Sequence, residues 1–162
     1  MNTVMPNGLA PIVSQYSLAG PGGVMRTEVA GGAPRYGLDW DRGSQQFNVT
    51  LMLDALRFSV WTAFYHHIIK KGAITFDMEL DSGFGCAAHA CNIVPGSYSA
   101  TRTAGTLIAV SFVVDAESQA YEMTGDDAQA MVDLYNQYGK RTNDLLDRLA
   151  QFANVDTNVL DF

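Results

Sequence analysis

Gln46-Phe-Asn-Val-Thr-Leu-Met-Leu-Asp54, then Ala55-Leu-Arg-Phe-Ser-Val-Trp-Thr-Ala-Phe-Tyr-His-His-Ile-Ile-Lys-Lys-Gly72, then Ala73-Ile-Thr-Phe-Asp-Met-Glu-Leu80 is the stretch that decides the fold. It reads as strand, helix, strand. Phe47, Val49, Leu51 and Leu53 are apolar at every second position, while Asn48 and Thr50 point the other way, which is the period of a half-buried strand. Ile74, Phe76, Met78 and Leu80 alternate with Thr75, Asp77 and Glu79 in the same manner. Between them Asp54 is placed to cap a helix, because its carboxylate can accept from the orphan N–H groups of a first turn. Leu56, Val60, Phe64 and Ile68 form one row at spacing four, and Trp61, Tyr65 and Ile69 form the next. Lys70 and Lys71 suit the negative end of the helix dipole, and Gly72 suits the residue just past the helix. A stripe this wide and aromatic predicts a helix lying flat on a sheet, with Trp61, Phe64, Tyr65 and Ile68 in the core.

Outward from this centre, Tyr36 to Trp40 reads as a short strand and Asp41-Arg-Gly-Ser44 as the turn that follows it. Downstream, Asp81-Ser-Gly-Phe-Gly85 is a loop. Cys86 to Val94 fits a strand or a short helix, Pro95-Gly96 is a turn, and Ser97 to Thr103 is polar and β-leaning. Thr106 to Asp115 is the strongest strand by propensity, and its near-continuous apolar run predicts burial on both faces. At Thr124-Gly-Asp-Asp127 the pattern turns helical, with Met131, Leu134, Tyr135, Tyr138, Leu145, Leu146, Leu149 and Phe152 periodic and Gly139 placed to kink or split the helix. The predicted class is α+β: an antiparallel β-sandwich or curled sheet, a flanking α-helix over about residues 54–71, and a C-terminal helical region over about residues 126–152.

The first 34 residues differ. They hold four of the five prolines and six glycines, and only Arg26 and Glu28 are charged. Gly20-Pro-Gly-Gly23 and Gly31-Gly-Ala-Pro34 are breakers, with a short strand fitting Val24 to Val29 between them. Disordered segments usually carry more charge. Residues 1–34 therefore read as an extended arm ordered against its own domain or a neighbouring copy, and residues 35–162 as a single β-rich domain with a C-terminal helical extension. The 162 residues suffice for one domain with a real core.

Net charge is −7, which disfavours nucleic acid as a partner. Residues 1–115 carry 8 acidic and 7 basic side chains, whereas residues 116–162 carry 9 and 3, so the acid is concentrated at the C-terminal end. No apolar run reaches the ~18 residues of a membrane span, and no basic, then apolar, leader pattern opens the chain.

The most suggestive chemical cluster is Cys86-Ala-Ala-His-Ala-Cys91. Cys86, His89 and Cys91 are of the types that bind zinc, and a fourth ligand would have to come from His66 or His67. The spacing is not that of a zinc knuckle, and the plainer reading is two small buried thiols beside a polar neighbour. In a strand Cys86 and Cys91 face opposite sides, against a local disulfide. No nucleophile elbow or Ser/His/Asp order is present. Gly83-Phe-Gly85 only faintly echoes a dinucleotide loop, without the helix and acidic partner that would complete it. Asp77 and Glu79 share a strand face and read as its wet side. Asn48-Val-Thr50 fits the glycosylation pattern but falls in a strand. The sequence assigns no catalytic, cofactor-binding or metal residue. A small metal module or enzyme centred on Cys86, His89 and Cys91 stands as the alternative.

Phe47-x-Val-x-Leu-x-Leu53, then Phe64-Tyr65 in a helix, then Lys71-Gly-Ala-Ile-Thr-Phe-Asp-Met-Glu-Leu80, resembles the strand–helix–strand of tail-tube-like structural proteins of long-tailed bacteriophages, the tube, distal tail and minor tail components. The likeness covers roughly residues 36–115. It implies a β-sandwich with one flanking helix that forms rings and has no enzymatic activity or cofactor. It also implies partners among its own copies and neighbouring tail proteins, assembly in the host cytoplasm, and a final place in the virion.

Overall fold

The computed structural model describes residues 3–11, 17–20, 22–103 and 105–151. The chain forms two compact units, Met1–Tyr121 and Glu122–Phe162. The class is α+β: one seven-stranded sheet, a separate two-stranded hairpin, and helices.

In the first unit the strands are β1 (Thr3–Val4), β2 (Ser17–Leu18), β3 (Val24–Thr27), β4 (Arg35–Leu38), β5 (Ser44–Leu53), β6 (Phe76–Asp81), β7 (Cys86–Ile93), β8 (Ser99–Arg102) and β9 (Ile108–Glu117). The main sheet runs β1-β6-β7-β9-β5-β2, with β8 also on β9. β9 is its spine. One edge pairs with all of β5, from Ser44 opposite Glu117 to Leu53 opposite Ile108. The other edge is divided between β8, with Ser99 opposite Ser111, and the end of β7, with Cys91 opposite Ala116. Every pairing is antiparallel except β1 on β6.

The alternation read in the sequence becomes the core. Phe47, Val49, Leu51 and Leu53 of β5 are buried, as are Phe76, Met78 and Leu80 of β6 and Val110, Phe112 and Val114 of β9. The expectation of two buried faces on β9 is corrected. Its alternate residues from Ala109 to Asp115 are only half-buried, so the strand has one core face and one partly wet face.

The helix α1 (Ala55–Ala63) begins at Asp54, whose Oδ1 accepts from the Arg57 N–H at 2.8 Å. Trp61 lies parallel to Phe112 of β9 at 5.1 Å between ring centroids, and Phe64 meets Phe76 of β6 edge-on at 5.8 Å, so the helix lies across the sheet. Past Ala63 the helix widens. Phe64–Ile68 is a π-turn, with the Ile69 N–H donating to the Phe64 carbonyl five residues back at 3.0 Å. That extra residue rotates the stripe. Ile69 enters the core and Ile68 is left 47% exposed, which corrects the reading of Ile68 as core. Leu56 and Val60, its row-mates in the sequence pattern, are exposed too, and Tyr65 is half-buried.

A tight turn then returns the chain to the sheet. Lys70, Lys71 and Gly72 all have positive φ (50°, 62° and 92°), and the N–H groups of Gly72 and Ile74 donate to the Ile69 carbonyl. Ile74 therefore belongs to the turn, and β6 starts at Phe76. Asn92 of β7 ties the turn down: its Nδ2 donates to the Gly72 carbonyl at 3.1 Å, and its Oδ1 accepts from the Thr75 hydroxyl at 2.9 Å.

Parts of the arm are ordered against their own domain. β1 lies beside β6, the Met5 N–H reaches the Asp77 carbonyl at 3.0 Å, and Met5 and Leu9 are buried in the core. β2 lies on the far edge of the sheet beside β5. One arm thus contributes strands at both edges, where unpaired backbone groups would otherwise invite other chains.

The second unit holds α2 (Gly125–Tyr138) and α3 (Thr142–Gln151), split at Gly139 with φ of 56°. Thr124 caps α2: its Oγ1 accepts from the Asp127 N–H at 3.2 Å. The Thr142 hydroxyl donates to the Gly139 carbonyl at 2.7 Å, fixing the start of α3. Expected residue Phe152 lies outside the described residues.

Candidate functional site

Strand β7 separates the Cys/His cluster. Cys86 is exposed, and His89 and Cys91 are buried on the opposite face. A run of residues three and five apart in a strand cannot converge on one ion. Each buried member is otherwise engaged. His89 Nδ1 lies 2.7 Å from the Ala87 carbonyl, which can only accept, so that nitrogen carries the proton. Nε2 lies 3.1 Å from the Ser82 hydroxyl, and Ser82 Oγ accepts from the Gln119 N–H at 3.2 Å. The imidazole thereby joins the β6–β7 loop to the chain after β9, and its ring packs on Phe47 at 6.1 Å. The Cys91 thiol donates to the His89 carbonyl at 3.1 Å; burial, with the Asp77 carboxylate adding to it, pushes the thiol up to about 12. Among the described residues no three His, Cys, Asp or Glu side chains come together to hold a metal.

The other candidates are dispersed. Asp81-Ser-Gly-Phe-Gly85 is a hairpin loop joining β6 to β7, with the Gly83 N–H on Asp81 Oδ1 at 2.8 Å. Asp77 and Glu79 border a cleft of about 280 Å³ whose other wall is Val4 to Pro11. Asn48 donates from its side chain to Ser17 Oγ at 3.0 Å, across β5 and β2. His66 and His67 are exposed on the π-turn.

Several large apolar side chains stay exposed on the folded chain. β3 and β4 form a hairpin whose eight paired residues are all exposed, including Val24, Met25, Tyr36 at 67% and Leu38 at 68%. Trp40 closes its base. The Asp39 N–H donates to the Gly23 carbonyl at 2.7 Å, and Gly23 (φ 91°) lies so close that an added Cβ would stand 2.4 Å from the Trp40 carbonyl oxygen. Trp40 itself is 53% exposed. Along α1, Leu56 and Val60 face solvent beside a shallow groove of about 480 Å³ formed by residues including Phe58, Ala63 and His67. On the helical unit Met131, Val132, Tyr135 and Leu146 border a groove of about 560 Å³.

The sequence reading found both hairpin strands, but not their exposure. The available signal was the glycine pair Gly31-Gly32 between two short strand-like segments with apolar residues on both faces. Compared with known proteins, the chain matches no family model, no curated protein and no solved structure. Among the described residues no helix is long and apolar enough to cross a membrane.

Proposed function

We propose that this protein is a structural subunit that works by assembling with copies of itself and with neighbouring proteins, as a ring-forming component of a bacteriophage tail of the distal tail, minor tail or tube-like kind. On this reading it is a virion protein without catalytic activity. The observation that carries the assembly reading is the hairpin of β3 and β4. A two-stranded hairpin is at best marginally stable in water alone, and this one exposes Val24, Tyr36 and Leu38 on one face, with Met25 on the other. Contiguous exposed apolar surface marks contact sites. The resemblance of residues 36–115 to tail-tube-like proteins supplies the kind of assembly, and the mostly antiparallel sheet with α1 across it is compatible with that resemblance.

The two tryptophans provide the test, since Trp61 is 0% exposed and Trp40 is 53% exposed. With rising protein concentration the Trp40 emission is expected to shift to the blue and its quenching by acrylamide to fall, while Trp61 stays constant. Leu38→Glu with Tyr36→Glu abolishes both changes. Trp40 that remains equally quenchable at every concentration and with every tail partner added contradicts the proposal.

A further inference from the structure

We propose that the outer face of α1 and the turn after it receive the C-terminal helical unit of another copy of this chain; this rests on the self-assembly reading above and names the contact. Both surfaces carry large apolar side chains that are exposed. On α1 and the π-turn that continues it they are Leu56 at 75% exposure, Val60 and Ile68; on the helical unit they are Met131, Val132 and Tyr135. A pair of short helices has too little mutual burial to hold itself together without a further partner.

Charge chooses the occupant. Residues 55–76 contain Arg57, Lys70, Lys71 and two histidines and no acidic side chain, in a protein of net charge −7. Residues 122–151 carry 6 acidic and 3 basic side chains. Two helical units facing one another would bring like charges together, whereas a helical unit on α1 brings opposite charges together, and such complementarity fixes partner and register. Arg57 already lies 3.9 Å from Asp54, so the uncommitted cations are at the turn. There Lys70 and Lys71 are exposed, and both are locked in left-handed backbone conformations by the Ile69 and Lys70 carbonyls, which accept from Gly72, Ala73 and Ile74. The turn holds two adjacent ammonium-bearing residues at one end of an apolar helix face. The contact joins different surfaces of two copies, and such a head-to-tail contact repeats around an axis to close a ring or extends as a tube.

The test mixes full-length protein of natural isotope content with the same protein labelled with nitrogen-15, and joins amines to carboxylates in direct contact with a carbodiimide. Mass spectrometry is expected to find Lys70 or Lys71 coupled to an acidic residue of 122–151 in mixed-isotope pairs. The double variant Lys70→Glu with Lys71→Glu, its fold checked by circular dichroism, is expected to raise the self-association Kd at least tenfold. An oligomer that forms with unchanged Kd in the double variant and shows only same-isotope couplings, or none, overturns this contact and leaves self-assembly standing. A monomer at all concentrations overturns self-assembly, and this contact with it.

Discussion

Gly72 is the position where one added methyl group should do the most damage for its size. It sits at φ 92°, where an L side chain costs roughly 1–2 kcal/mol. An alanine Cβ there would stand 2.5 Å from Ile93 Cβ, 3.1 Å from Ile93 N and 3.2 Å from Ile93 Cα. Ordinary carbon contacts lie at about 3.5–4.0 Å. Relief requires the turn or β7 to move, and overpacking of this kind costs about 1–3 kcal/mol. Gly72→Ala is therefore expected to destabilise by about 2–5 kcal/mol. Urea unfolding followed by the fluorescence of buried Trp61 should show a midpoint lowered by about 0.7 M or more, given slopes of about 1–3 kcal/mol per molar for small proteins. Two companions sharpen the assay. Ile93→Ala should not rescue the variant, because the offending atoms are Cβ and backbone. Lys71→Gly should stabilise by about 0.5–1 kcal/mol, because it relieves a left-handed residue (φ 62°). A loss below about 0.5 kcal/mol in Gly72→Ala, or rescue by Ile93→Ala, would refute the packing of this turn against β7.

Phe64→Ala removes a ring 2% exposed that rests edge-on against Phe76, and should cost roughly 3–5 kcal/mol in the same assay; a loss under about 1 kcal/mol means α1 is not packed on the sheet. Thiol titration of the native protein should find Cys86 reactive and Cys91 inert, with both reacting in denaturant, because only the thiolate attacks. The raised Cys91 thiol also sets a pH window. Its ordinary value is 9.0 and its folded value about 12, so the folded state holds the proton more tightly. The stabilisation is complete below about pH 9 and is lost progressively toward pH 12, and Cys91→Ala should flatten that part of the stability profile. Thr124→Ala removes the cap of α2 and should cost about 1 kcal/mol, seen as roughly fivefold faster amide exchange at Asp127, whose N–H it leaves unpaired.

The strand periodicities carried most of the fold, because period-two burial depends only on neighbours in sequence. Phe47 to Leu53 and Phe76 to Leu80 face the core as their alternation requires. The cap at Asp54 and the break at Gly139 were equally local. What failed to show was non-local. The π-turn that exchanges Ile68 for Ile69 is set by how the helix must meet β6 and β9, and no residue in Phe64-Tyr-His-His-Ile68 announces it. The wet side of β9 depends on what covers it, and apolar content alone overstated its burial. For the candidate site, the sequence left Cys86 to Val94 as strand or short helix, with Cys86 and Cys91 on opposite faces if a strand; it is a strand, and they are so placed. The exposed hairpin was invisible as a surface, since Val24 and Leu38 look like core residues in the sequence and are exposed in the fold.

Sedimentation velocity of the full-length protein over a hundredfold range of concentration addresses the central claim most directly. The account predicts a discrete closed species at an integral multiple of 17.6 kDa that dissociates when Leu38 and Tyr36 of the hairpin are both changed to Glu. A species of 17.6 kDa throughout, unchanged by those substitutions and by added tail partners, would contradict it.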